Sequence, residues 1–201
     1  MIAAAVLAAG GGRRLGGGVP KPLAVLAGRP LVAHALDAAL RSGLEPVLLV
    51  VGASADWVAA AAPAGVEVVR NDEWERGIAS SLQAALRVLA PRGEVDALVV
   101  GLADQPLVGA GAYGRVGAAY DAGARLAVAT YGGVRANPVL LARAHWPAAE
   151  RLTGDEGGRT LFADRPVTEV PCDGTGDPID IDTTADLAAL ERRWRSATAS
   201  E

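Results

Sequence analysis

The first twelve residues, MIAAAVLAAGGG, join a seven-residue apolar run, Ile2 to Ala8, directly to a glycine-rich stretch, and no other feature of the chain constrains its fold as tightly. Seven small and branched apolar residues without polar alternation fit a strand buried on both faces, as occurs when helices cover both sides of a sheet. The run lacks a basic leader and is short for a signal peptide, so a cytoplasmic protein is expected. No apolar stretch approaches the roughly 20 residues that span a bilayer. The stretch after the strand, LAAGGGRRLGGGVPK from Leu7 to Lys21, lets successive backbone N–H groups approach phosphate oxygens, with Arg13, Arg14 and Lys21 supplying charge. Two common phosphate motifs fail here. The dinucleotide pattern G-x-G-x-x-G meets Leu15 where glycine is needed, and the Walker pattern meets Pro20-Lys21-Pro22 instead of Gly-Lys-Ser/Thr. That leaves a phosphate-binding loop of another kind, or a plain glycine turn at the surface.

Further apolar runs at Pro46 to Val51, Val66 to Val69, Ala97 to Leu102 and Leu126 to Thr130 alternate with amphipathic segments. Val32, Ala35, Leu36, Ala39 and Leu40 follow helical spacing, as do Leu82, Ala85, Leu86 and Leu89. A third helix is expected after Thr183-Thr184, where Thr183 and Asp186 form a capping-box-like pair. The pattern predicts an α/β fold: a single doubly wound Rossmann-like domain over residues 1–195, with a mainly parallel sheet flanked by helices and a frayed tail at 196–201. Pro138 to Pro171 breaks the alternation, with a short VLL strand, a glycine-rich GDEGG turn and a VTEV strand.

A net charge of −4 gives no bulk attraction to nucleic acid or to an anionic membrane, so neither is expected as a partner. The single cysteine, Cys172, excludes an internal disulfide, and two histidines leave little for a zinc site. Lysine usage says more. Lys21 is the one lysine against 18 arginines, so the chain places an ammonium in the glycine loop and a guanidinium everywhere else.

In such sheets ligands bind beyond the carboxyl ends of the strands. Asp104 follows the run ALVVGLA and should project there, unless it only forms a turn with Pro106. Asp180 and Asp182 in D-I-D share one face of an extended segment, although either could instead cap the helix that follows. Asn71, Gly77, Ser80 and Ser81 surround the start of the second helix, where small and amide-bearing groups suit a base edge and where Ser80 alone could be an N-cap. A structural role is expected of His34, beside the apolar stripe of its helix.

LAAGGGRRLGG with the following PK, NDEWERGIASSL (Asn71 to Leu82), LADQPLV (Leu102 to Val108), NPVLLARAHW (Asn137 to Trp146), LTGDEGGRTL (Leu152 to Leu161) and DIDTTADL (Asp180 to Leu187) occur in that order. Together they resemble the molybdenum cofactor cytidylyltransferase group of the MobA-like NTP transferase family. The loop departs from that pattern, because four residues rather than two separate Gly16 from Lys21.

The resemblance implies a Mg²⁺-dependent nucleotidyltransferase that moves CMP from CTP to a phosphorylated acceptor, the molybdenum cofactor, and releases pyrophosphate. It implies nucleotide contacts at Leu7, Ala8, Ala9, Gly10, Gly11, Gly12, Arg14, Lys21, Asn71, Gly77 and Ser81. Arg14, Lys21 and Asp104 would be catalytic, Asp104, Asp180 and Asp182 would hold the metal, and Asp155 and Arg159 would meet the acceptor. Ala9, where guanylyl-transferring relatives carry a second glycine, favours CTP over GTP. A molybdoenzyme is the implied transient partner. Alternatives are a sugar- or isoprenoid-phosphate nucleotidyltransferase, or an oxidoreductase or cofactor-insertion chaperone on the same fold.

Overall fold

The structure, a computed structural model, describes residues 1–11 and 18–198, with side chains as far as 195. In chain order the elements are β1 (Ile2–Ala8), β2 (Val25–Leu26), β3 (Arg29–Pro30), α1 (Leu31–Arg41), β4 (Val47–Val51), α2 (Ala55–Ala59), β5 (Val66–Arg70) and α3 (Ile78–Leu89). Then follow β6 (Ala97–Leu102), α4 (Ala110–Asp121), β7 (Leu126–Tyr131), β8 (Val134–Ala142), α5 (Trp146–Ala149), β9 (Thr168–Pro171) and α6 (Thr184–Thr198).

Seven strands form one sheet in the order β5-β4-β1-β6-β8-β7-β9, and β2 pairs with β3 as a separate two-stranded ribbon. Within the seven-stranded sheet pairing is parallel except that β8 runs antiparallel to both β6 and β7, and the β2–β3 ribbon is antiparallel. This is the expected fold class: a doubly wound, mainly parallel Rossmann-like sheet between helices. The two-residue period of β1 shows why both faces must be covered. Ala3, Ala5 and Leu7 enter one apolar cluster with α3, whereas Ala4, Val6 and Ala8 enter a second with α1 and α4.

Two departures have local causes. The expected VLL strand is the end of a nine-residue strand, β8, which forms a hairpin with β7 through Gly132 and Gly133, both at positive φ. Helices α2 and α4 gave little periodic signal. In α4 the glycines Gly111, Gly114 and Gly117 interrupt an apolar stripe reduced to Ala112, Tyr113 and Val116. Gly117 is there for close packing, since a Cβ on it would lie 2.7 Å from Leu44 Cδ2.

From β1 the chain steps outward through β4 to β5, then returns to lay β6 on the other side of β1. The reversal opens a crevice beyond the carboxyl ends of β1 and β6. Loops from four strands meet at that edge. Ala103 N–H donates to Leu7 O at 3.0 Å, Ala53 N–H to Ala9 O at 3.0 Å and Asn71 N–H to Val51 O at 2.8 Å.

Candidate active site

After Gly18 the glycine loop descends to Pro20 and closes a one-turn helix at Lys21–Leu23, where Leu23 N–H donates to Pro20 O and Pro22 is buried. This turn aims Lys21 into the crevice. Its Nζ donates to Asp104 Oδ2 at 2.7 Å and to Asp182 Oδ1 at 2.9 Å, with the lysine side chain only 13% exposed. Burial works against the ammonium charge, but the hydrogen bonds and charges of Asp104 and Asp182 outweigh it, and the pKa lies above the ordinary lysine value.

Asp104 sits two residues beyond β6. The segment carrying Asp180 and Asp182 is pinned beside it, because Ile181 N–H donates to Asp104 O at 2.9 Å. Ile181 is fully buried in a small third cluster with Leu26, Leu31 and Leu190. Extended alternation then turns its neighbours, Asp180 and Asp182, away from that cluster. Burial, followed by the charges of Asp104 and Asp182, raises the carboxyl pKa of Asp180, while a hydrogen bond from Gln105 and the Lys21 charge act in the opposite sense. Thr183 and Asp186 form the expected capping box on α6: Asp186 N–H donates to Thr183 Oγ1 at 3.1 Å, and Thr183 N–H donates to Asp186 Oδ2 at 2.8 Å.

One atom of this cluster is unmatched. Asp104 Oδ1 is buried and has no hydrogen-bond partner among the described residues, a costly state for a carboxylate oxygen and a suitable one for a hard cation. Among the described residues, no three carboxylate, histidine or cysteine groups already form a metal cage. Instead the Lys21 ammonium lies between Asp104 and Asp182, with Asp180 sensing both charges.

A cleft of about 360 Å³ runs beside Asp104, lined by Leu7, Ala9, Gly10 and Gly11 from the first loop and by Trp74, Gly77 and Ser81 from the far side. A second hollow of about 250 Å³, with Asn137, Arg159 and Thr160 on its walls, shares Leu7, Ile78, Leu102 and Asp155 with the first. The two are lobes of one crevice. Residues 4–170 match the MobA-like NTP transferase domain.

The chain belongs to this family of nucleotidyltransferases. Nicotine blue oxidoreductase of Paenarthrobacter nicotinovorans is 30% identical over 200 residues, which are 94% of this chain and 96% of that one. The bifunctional enzyme IspD/IspF of Novosphingobium aromaticivorans is 36% identical over 99 residues, 49% of this chain and only 25% of that enzyme's length. Rv0371c of Mycobacterium tuberculosis superposes with a TM-score of 0.80 at 33% identity, over 95% of this chain and 97% of its own. A structure of Rv0371c in complex with manganese gives a TM-score of 0.77 at 30% identity, covering 95% and 98%.

Within this NTP transferase domain the expected residues fall into three groups. Leu7, Ala9, Gly10, Gly11, Gly77, Ser81, Asp104, Asp155 and Arg159 line the crevice, and Lys21 and Asp182 join Asp104. Asn71 and Ala8 do not line it. Asn71 is buried and its side chain is engaged within the fold: Nδ2 donates to Ser80 Oγ at 2.8 Å and to Ser81 Oγ at 3.1 Å, and Oδ1 accepts from Glu73 N–H. Ala8 points into the opposite core. Gly12 and Arg14, with Arg13, lie outside the described residues.

Gly77 is needed for two reasons. Its φ is +92°, and a Cβ would meet the Gly154 carbonyl and lie 2.9 Å from Asp155 N. The GDEGG turn thereby rests on the start of α3, where Ala79 N–H donates to Gly154 O at 3.1 Å. His34 is structural, its Nε2 2.9 Å from Leu26 O. The residue that pattern reading passed over is Trp74. Its signal was an aromatic ring in the otherwise polar stretch NDEWERG.

No helix among the described residues is long and apolar enough to cross a membrane.

Proposed function

We propose that this protein is a divalent-metal-dependent nucleotidyltransferase that moves CMP from CTP to the molybdenum-loaded pterin cofactor and releases pyrophosphate. The observation that carries the metal-dependent reading is Asp104 Oδ1, a buried oxygen without a donor among the described residues, beside Lys21 and Asp182. Asp104 and Asp182 would hold the ion, Mg²⁺ by the chemistry of their oxygens, with Asp180, whose carboxyl feels both charges, as the further candidate ligand. A bound divalent ion supplies positive charge against the triphosphate and its transferring phosphorus.

The chain's own groups do the rest. Backbone N–H groups of Gly10 and Gly11 face the phosphates, and the Lys21 ammonium is available to the α-phosphoryl oxygens as their charge grows. The acceptor phosphate, already anionic, attacks the α-phosphorus in line; one P–O bond forms, the bond to the pyrophosphate breaks, and no protein base is required. The lobe bearing Asp155 and Arg159 would seat the acceptor. Ala9 at the cleft wall supports CTP over GTP, and the ordered motifs from Asn71 to Leu187 support the pterin acceptor and a molybdoenzyme as the eventual recipient.

One observation favours a second reading. One relative matched along nearly its full length is named an oxidoreductase. Incubation with each nucleoside triphosphate and with pterin, sugar and isoprenoid phosphates, in Mg²⁺ or Mn²⁺, separates the two. Pyrophosphate release with CTP and the pterin, abolished by a chelator, supports the proposal. Release with another pair redirects the substrate assignment, and no release from any pair overturns the transferase reading.

A further inference from the structure

Trp74 begins a one-turn helix just after β5, and two glycines make room for its indole. A Cβ on Gly52 would lie 2.5 Å from Trp74 Cβ and 2.8 Å from its Cγ, and one on Gly11 would lie 3.1 Å from Trp74 Cζ3. The ring is thus seated against the loops that follow β4 and β1. Its remaining surface lines the cleft of about 360 Å³, where it is the only aromatic side chain among the described lining residues. Trp146, by contrast, is 3% exposed and donates its indole N–H to Leu141 O, and it serves the core. Trp74 makes no such bond among the described residues, and its ring is only partly buried.

Position supplies the second half of the argument. Trp74 packs beyond the end of β4, and Asp104 lies beyond the end of β6, with β1 between them. Two strand spacings separate these sites by about 10 Å, a span that a nucleotide covers between its base and its phosphates. With Lys21 and Asp104 at the phosphate end, the π-face at the other end is suited to a planar heterocycle.

We infer that Trp74 is the stacking platform for the base of the bound nucleoside triphosphate, a role that rests on the nucleotidyltransferase reading. Stacking is tolerant of base identity, so Trp74 provides affinity for any nucleotide, and discrimination falls to groups at the base edge such as Ser81.

Calorimetry on the full chain with divalent ion tests this, using CTP, GTP and inorganic tripolyphosphate as probes. Trp74→Ala should weaken CTP and GTP alike, by about 5- to 150-fold, and leave tripolyphosphate unchanged. Trp74→Phe, which keeps a ring against Gly11, should recover most of the loss and guards against an alanine variant that fails to fold. Equal loss for all three probes, or no loss for the nucleotides, overturns the stacking role while the transferase reading stands. A wild-type protein that binds neither nucleotide overturns both.

Discussion

Lys21 Nζ lies 2.7 Å from Asp104 Oδ2, so the chain's one lysine and the carboxylate with the buried, unmatched oxygen form a single unit across 83 residues of sequence. A lengthened glycine loop does not prevent this. Pro20 and Pro22 bracket the lysine in a tight turn, and the extra residues precede that turn. The ammonium satisfies one oxygen of Asp104 and one of Asp182, and holds both carboxylates near each other.

Asp104→Asn should abolish metal binding and lower turnover by about 10²-fold or more, because an amide keeps the size and removes the charge. Stability should hold within a few degrees of unfolding temperature, since Oδ1 has no partner to lose and Lys21 keeps Asp182. Mn²⁺ titration followed by electron paramagnetic resonance, beside thermal unfolding, checks both halves. Retained turnover would remove Asp104 from the metal site.

Lys21→Arg preserves the charge and should still lower kcat by about tenfold or more, with little change in unfolding temperature. The lysine side chain is only 13% exposed where it sits between two carboxylates, a position suited to a compact ammonium; a guanidinium is wide, planar and bound in a different geometry. Steady-state kinetics decide it. Wild-type values from the arginine variant would show that charge alone matters at this position.

The raised pKa of Asp180 gives a pH signature. Its carboxyl is easier to ionise in the unfolded chain, so the group's favourable contribution to folding is present below the ordinary carboxylate pKa and is lost as pH rises through the folded value. Asp180→Asn should therefore raise the unfolding temperature at neutral pH, and the gap from wild type should close toward pH 3. Unfolding curves across that range measure it; a gap independent of pH would assign the effect to packing instead.

The sheet and the strand-end position of Asp104 were legible because their signals are local. β1 announces itself in seven consecutive residues, and the place of Asp104 follows from its position just past the end of β6. What escaped depends on partners brought together by the fold. The bonds from the Asn71 amide to Ser80 and Ser81 are not visible in the pattern of the chain, and Trp74 gains its place only from Gly11 and Gly52. Helix α4 was hidden because its glycines answer to packing against neighbours such as Leu44, which outweighs their poor helix propensity.

Gly77→Ala should lower the unfolding temperature by about 5–10 °C, corresponding to roughly 2–3 kcal/mol for a domain of this size. Both the backbone at φ +92° and the collision with the Gly154 turn oppose a Cβ. The same change should weaken acceptor binding, because the turn carrying Asp155 must lift off α3. Calorimetric unfolding and the acceptor KM report the two effects separately.

The Lys21–Asp182 contact closes a span of 161 residues, the longest sequence separation of any ion pair described in this molecule. Chain closure on that scale has high contact order and a large loop-entropy cost, so this pair belongs among the slow events of folding. The sheet can be complete while Asp182 is still undocked, and a chain caught at that stage would have secondary structure without a competent reaction centre. In a refolding experiment, recovery of metal binding should trail the return of the far-ultraviolet circular dichroism signal. Catalytic competence would then act as a late checkpoint on assembly, set by the docking of Ile181 into its own small core.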